Sequence, residues 1–346
     1  MSEPTVSIVT ALYNGANLVG ETIDSVQRQS FTDWEMVIVD DCSTDDARAV
    51  LAKVADPRVR VIHAEVNRGP VHARNRAIAA ARGRYIAALD HDDLCRPDRL
   101  AKQVAFLDAN PEVVLVASDA ELLEDGRVKP SVQPPVTSPD LIDWHLSIRN
   151  ILVWSSVMVR ADAARRLDPV TRPEALGAED FDFYHRIRAH GRIARIDEAL
   201  ILYRCHAGGL SKRMRATMIA ASIAVLTQAH AARFGDRAHE VAALLVDHIM
   251  LREPVADGAV LARLATALGT IRGAFPAKRD DPALAAAIDA ALADQWRAVC
   301  RAGLRSGRLS LRDLSIARRA GIGGLAVTPD LIASRAVGAI RAARRR

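Results

Sequence analysis

The stretch "YIAALDHDDL", residues 85 to 94, sets Asp90, His91, Asp92 and Asp93 directly behind an apolar run. Three carboxylates this close repel one another unless a cation or a set of backbone donors holds them. The spacing of Asp90 and Asp92 suits a hard divalent cation, Mn2+ or Mg2+, which prefers oxygen ligands and is often shared between carboxylates and a substrate phosphate. A cation held there would neutralise charge developing on a leaving phosphate. Capping the following helix would use one carboxylate, not three. Asp40 and Asp41 end a second apolar run, "WEMVIVDD", and Glu179 and Asp180 open "EDFDFYHRI", where a carboxylate also interacts favourably with a helix dipole.

These acids need elements to carry them. "TVSIVTAL", "WEMVIVDD", "RVRVIHA" and "RYIAALD" read as short buried strands rich in β-branched residues. Between them, "NLVGETIDSVQRQ", "DDARAVLAKVA" (with Thr44 or Asp45 as its cap) and "GPVHARNRAIAAARG" (closed by Gly83) read as helices. Alternating strand and helix predicts an α/β fold with a mostly parallel sheet and helices on both faces. Ligands of such sheets sit beyond the carboxyl ends of the strands. Three predicted strands end there in "ALYN", in Asp40 and Asp41, and in Asp90 to Asp93.

Further on, "RPDRLAKQVAFLDANP" reads as a helix with Pro97 in its first turn, and "EVVLVASDAEL" as a strand. "KPSVQPPVTSP" reads as an irregular loop, "SSVMVRADAARRL" as strand then helix, and "EDFDFYHRIRAHG" as a helix closed by Gly191. Strand signals stop after "EALILYRCHAGGLSKR", and from about Ala216 the chain is Ala-rich helix. The expected division is a first domain over residues 1–212 and a helical region over 213–346.

Composition fits a folded chain: of 346 residues, 50% are hydrophobic and 26% charged. No secretory leader and no apolar run long enough to span a bilayer stand out, so cytoplasm is the expected compartment. Cys42, Cys95, Cys205 and Cys300 lack CxxC spacing, which argues against a zinc ribbon and reads as idle thiols. Residues 301–346 carry eleven Arg against Asp313 and Asp330, more than accounting for the net charge of +5. Such a tail suits an anionic surface, and lacking aromatic residues to stack on bases it points to lipid rather than nucleic acid.

Two nucleotide motifs fail. "GANLVGET", residues 15 to 22, has P-loop glycine spacing, but Glu21 stands where the motif needs Lys and would repel a phosphate. No GxGxxG follows the first strand.

The ordered set "VSIVTALYN", "QSFTDWEMVIVDDCSTD", "NRGPVHARNRAIAAARGRYIAALDHDD", "EDFDFYHRI" and "YRCHAGGLS" resembles family 2 glycosyltransferases of the GT-A fold, from Val6 to about Ser211. That resemblance implies a metal-dependent, inverting transferase moving a sugar from a nucleotide donor, UDP above all, to an acceptor hydroxyl in surface glycan or exopolysaccharide synthesis. It implies that Asp41 bonds the base, with Tyr13 and the Ala11 backbone completing the base pocket. Asp40 would be structural or face the ribose, and Gly69 and Arg74 would line the nucleotide pocket. Asp92 would be the principal metal ligand, and Asp90 would meet the donor or reach the metal through water. Asp180 would be the general base beside Glu179 at the donor site. His206 would reach the metal or the diphosphate, and Lys212 and Arg213 could add phosphate contacts. The sequence departs from the family pattern at Ala11 and Leu12, and His91 fills the variable place in the Asp-X-Asp, where packing or solvation is expected.

Trp144, His145 and Trp154 could stack on an acceptor sugar or pack in a core. For the helical region, acceptor binding, a homodimer contact and attachment to the inner face of the plasma membrane are all open. The rival readings are a nucleotidyltransferase, which needs a glycine-rich Lys/Arg loop that "ALYNGANLVGE" does not supply, and a non-catalytic carbohydrate-binding protein.

Overall fold

The computed structural model describes residues 3–131, 133–136, 138–206, 214–276, 279–315 and 328–343. The first half follows the expected alternation: β1 (Val6–Leu12), α1 (Val19–Gln27), β2 (Trp34–Asp40), α2 (Ala47–Leu51), β3 (Val59–His63), α3 (Pro70–Ala80) and β4 (Tyr85–Ala88). Then come β5 (Leu94–Cys95), α4 (Arg99–Ala109), β6 (Val113–Glu124), β7 (Arg127–Lys129), α5 (Pro139–Leu146), β8 (Met158–Arg160), α6 (Ala161–Ala164), α7 (Glu179–Ile187) and β9 (Arg192–Cys205). Among the described residues further helices follow: α8 (Arg215–Phe234), α9 (Ala238–Leu245), α10 (Gly258–Arg272), α11 (Pro282–Ser306) and α12 (Pro329–Ala343).

The strands form one sheet in the order β3-β2-β1-β4-β8-β6-β9-β5, with β7 on the edge of β6. β3, β2, β1 and β4 are all parallel, in the register Val6 to Trp34 and Val6 to Tyr85. The far half is mixed: β8 is antiparallel to β4 and β6, β9 is parallel to β6, and β5 is antiparallel to β9. β2 is buried along its whole length, and Met36 to Val39 within it form an unbroken apolar run. Ile8, Met36 and Ile38 are fully buried, each side chain contributing about 1.5–3 kcal/mol relative to exposure.

Several boundaries differ from the sequence reading. α3 stops at Ala80, short of Gly83, because the Arg82 and Gly83 N–H groups turn away to the Ser7 hydroxyl, and Arg82 N–H also reaches Glu35. α4 starts at Arg99, two residues past Pro97. β9 begins at Arg192, well before "EALILYRC", since pairing with β6 extends it. α2 is shorter than expected, and it is Asp45 that serves its start, taking the Ala47 N–H on one oxygen and the Ala16 N–H on the other.

The chain divides into two compact units. One comprises residues 1–142 and 151–221 and holds the sheet; the other comprises 143–150 and 222–346 and is helical. In the second, His230 Nε2 lies 2.7 Å from the Ser147 carbonyl, joining α8 to the 143–150 segment. Trp144 and His145 are 1% exposed and meet edge-on, so the sugar-stacking role considered for them is replaced by core packing. All four cysteines are free, and burial pushes the Cys300 thiol up to about 12. Among the described residues no helix is long and apolar enough to cross a membrane.

Candidate active site

At the carboxyl end of β1, Asn14 adopts a left-handed conformation (φ 52°), which Asn tolerates through its short polar side chain. Its N–H donates to Ser43 Oγ, and its Oδ1 accepts from the Thr44 N–H at 2.8 Å, binding the β1 and β2 loops together. Asp40 is fully buried under these loops. Burial pushes its carboxyl up, but bonds from Ser43, His63 and Arg48 outweigh that and hold it below the usual carboxylate range. This is the structural alternative of the two considered for it.

Asp41, expected to bond a base, uses its carboxylate inside the protein. Its oxygens accept the Arg68 N–H at 3.0 Å and the Gly69 N–H at 2.7 Å. Gly69 sits at φ 90°, a conformation that favours glycine, and its carbonyl accepts the first bond of α3. Asp41 thus builds the wall formed by residues 67–69. Tyr13 is 41% exposed on the adjoining loop, and Ala11 lies in β1 beside Val39.

The acidic loop after β4 is held from several sides. The Asp90 N–H donates to Ser155 Oγ at 3.0 Å, and Asp93, 1% exposed, accepts the Arg204 N–H at 2.8 Å. Arg204 Nε also donates to the Asp92 carbonyl, while its Nη2 pairs with Glu21. The residue that spoils the P-loop pattern is therefore half of a clamp on the acidic loop. His91 packs on Gly15: a Cβ there would stand 2.3 Å from the His91 ring. Burial raises the Asp93 carboxyl well above its ordinary range, with Asp92 and Asp90 adding to the effect. Asp90 is raised as well, by burial and Asp92, with Arg74 pulling the other way.

Arg74 joins the two acidic motifs. It is 7% exposed; Nη1 donates to Glu179 Oε1 at 2.8 Å and Nη2 to Asp90 Oδ1 at 3.4 Å. Its guanidinium carbon lies 4.4 Å from the Trp154 ring centroid, so Trp154 acts as a platform for the cation. Burial alone would lower the Arg74 pKa, but Asp90, Glu179 and Asp180 raise it. The other Glu179 oxygen accepts the Gly177 N–H. Arg74 and Glu179, expected as pocket-lining groups, are mutually occupied. Asp180 follows at the start of α7, partly exposed, with Oδ1 accepting the Phe181 N–H. Asn75 fixes the approach to α7 through paired bonds with Thr171.

Asp92 Oδ2 and His206 Nε2, far apart in sequence, meet at 2.8 Å. Both side chains are partly exposed, at 19% and 31%. Among the described residues no group of three or more His, Cys, Asp or Glu gathers for a metal. An oxygen and a nitrogen ligand on an open edge fit an ion completed by phosphate oxygens and water. Lys212 and Arg213 lie outside the described residues. A groove between α1 and α2, lined by Ile23, Gln27, Val50 and Lys53, shares no residue with this cluster.

Ser155 and Arg204, which hold the acidic loop, were not legible in that role, whereas Asn14, an Asn before Gly at the end of "ALYN", carried a local signal.

A parallel half-sheet ending in acidic loops, continued by a mixed half and faced by α7, defines a GT-A type transferase fold. TarS of S. aureus, residues 1–349, in a crystal structure with UDP-GlcNAc, superposes with a TM-score of 0.57 at 19% identity, covering 99% of this chain and 92% of that one. Residues 7–167 match the family model for glycosyl transferase family 2. An uncharacterized glycosyltransferase of Methanocaldococcus jannaschii, MJ1057, is 30% identical over 210 residues, 59% of this chain and 72% of its own length. The succinoglycan biosynthesis protein ExoO of Rhizobium meliloti is 34% identical over 234 residues, 64% of this chain and 66% of its own. The chain belongs to glycosyltransferase family 2. It spans 24%, 66% and 42% of the length of three of the curated relatives it matches.

Proposed function

We propose that the protein is an inverting glycosyltransferase that moves a sugar from a nucleotide donor, UDP-linked, to an acceptor hydroxyl in surface-glycan synthesis. The observation that carries this is the Arg74 bridge, which ties Glu179, the neighbour of Asp180 at the start of α7, to Asp90 in the acidic loop where Asp92 pairs with His206. Relatives named for succinoglycan biosynthesis and, in Escherichia coli, for UDP-glucose transfer to a GlcNAc-diphosphoundecaprenol support the glycan and the UDP donor.

In this reading Asp180 takes the proton of the acceptor hydroxyl as that oxygen attacks the anomeric carbon from the face opposite the nucleotide. The bond to the diphosphate oxygen breaks in the same displacement, and one base suffices for inversion. Asp92 and His206 would hold Mn2+ or Mg2+, which when bound neutralises the charge of the leaving diphosphate. Tyr13, Ala11 and the wall at Gly69 bound the nucleotide. Asp180→Asn abolishes transfer while UDP still binds, measured by calorimetry; wild-type turnover in that variant would remove Asp180 as the base. Asp92→Ala abolishes the Mn2+ dependence of UDP binding.

Contact with an anionic membrane is a separate reading, favoured by α12. Leu331, Ser334 and Gly338 are buried, while Ile332, Ala333, Ala336, Val337, Ala339 and Ile340 leave an uncharged, apolar exposed face in the Arg-rich stretch. Cosedimentation with phosphatidylglycerol vesicles at low salt, and none with phosphatidylcholine, is the expected result. Equal cosedimentation with both would refute it.

A further inference from the structure

α7 carries a buried hydroxyl that the proposed chemistry does not use. Tyr184 is 0% exposed, and among the described residues its hydroxyl has no hydrogen-bond partner. Buried tyrosine hydroxyls normally find one, because an unmade bond costs stability. Phenylalanine would fill the same volume without that cost, and Phe181 and Phe183 do so on the same helix.

The helix dictates where this hydroxyl lies. Tyr184 is four residues after Asp180, on the same face, and helical side chains lean toward the N-terminal turn, here toward Asp180. The groups whose charges act on the phenol are Asp180, Arg74, Asp90 and Glu179, so it faces the cluster described above. Asp180 accepts the Phe181 N–H on Oδ1, a bond to the start of its own helix. A phenol has one proton to give, and the carboxylate one turn back is the acceptor that the helix geometry offers.

We infer that Tyr184 is a positioning residue for Asp180: when acceptor and donor fill the site, its hydroxyl donates to the Asp180 carboxylate and fixes the orientation in which that group meets the acceptor hydroxyl. This rests on Asp180 being the base. The free protein keeps an unsatisfied hydroxyl, and the loaded protein uses it.

The test is Tyr184→Phe in the full chain, assayed for sugar transfer with the donor that a nucleotide-sugar screen identifies and the acceptor that a glycan and lipid-linked-sugar screen with that donor identifies. The expected result is a kcat lowered on the order of tenfold, the loss of one hydrogen bond to a charged group, with the donor KM and UDP binding unchanged. Its Tm equals or exceeds that of the wild type, because no bond is lost in the free protein. Incorporating 3-fluorotyrosine at position 184, which keeps the donor, restores kcat. A wild-type kcat in Tyr184→Phe overturns the inference, as does a loss confined to KM or accompanied by a lower Tm. Asp180→Asn, run alongside, separates the two readings: if it is inactive while Tyr184→Phe is fully active, only the role of Tyr184 fails. If Asp180→Asn is itself active, the base assignment fails first.

Discussion

Removing the Arg74 cation tests how the two acidic motifs are held together. Arg74 is 7% exposed, its guanidinium bonded to Glu179 at 2.8 Å and Asp90 at 3.4 Å and set over the Trp154 ring. Arg74→Gln leaves Glu179 buried against a neutral group that makes weaker bonds. Breaking a buried ion pair from one side costs about 3–5 kcal/mol, and the lost cation–π contact adds about 0.5–2 kcal/mol. Arg74→Lys keeps the charge, but an ammonium lacks the planar fork that reaches both carboxylates, so about 1–3 kcal/mol is expected. Glu179→Gln alone strands Arg74 less severely, because Asp90 remains beside it. The measurement is urea unfolding followed by tryptophan fluorescence for both single variants and the Arg74→Gln/Glu179→Gln double variant. The coupling between the two residues should be about 1–3 kcal/mol. Additive losses, or a loss below about 1 kcal/mol in Arg74→Gln, would show that the bridge does not hold the site, since independent surface charges behave that way.

Other outcomes follow from single features. Glu35 is 2% exposed; burial pushes its carboxyl up, but bonds from Arg82, Ser7 and Arg60 bring it down to about 2. A depressed folded pKa gives stability that is present above the unfolded value near 4.5 and lost as pH falls toward 2. Acid titration of the wild type should therefore show about 2–3 kcal/mol more loss between pH 5 and 2 than Glu35→Gln shows. Gly15→Ala drives a methyl into the His91 ring and against Leu12, and should cost about 1–3 kcal/mol in thermal or urea unfolding, part of it recovered in Gly15→Ala/His91→Ala. Burial and the neighbouring Arg252 bring Arg149 down to about 10, and its Nε has no partner among the described residues. Because a buried cation beside a like charge is unfavourable, Arg149→Met should raise stability by about 1–3 kcal/mol, read from the unfolding midpoint.

The order of strands and helices in the first half was legible because burial imposes local patterns: β2 carries the apolar run Met36 to Val39, and each β-α unit repeats the alternation. That the acids lie at one end of the sheet follows from the parallel connections alone. Element ends were less legible, since α3 stops where Ser7 and Glu35, distant in sequence, claim its N–H groups. Residue types thus determined the fold class and the set of acids. Which acids touch which partner was decided by tertiary structure. Asp41 turns to the Gly69 backbone, Arg74 reaches Glu179 across 105 residues, and His206 reaches Asp92 across 114. Trp154 became a platform for a cation, and Trp144 and His145 vanished into a core. The reason is physical: side-chain periodicity is set by neighbours along the chain, whereas a hydrogen bond between distant residues exists only once packing has fixed both backbones.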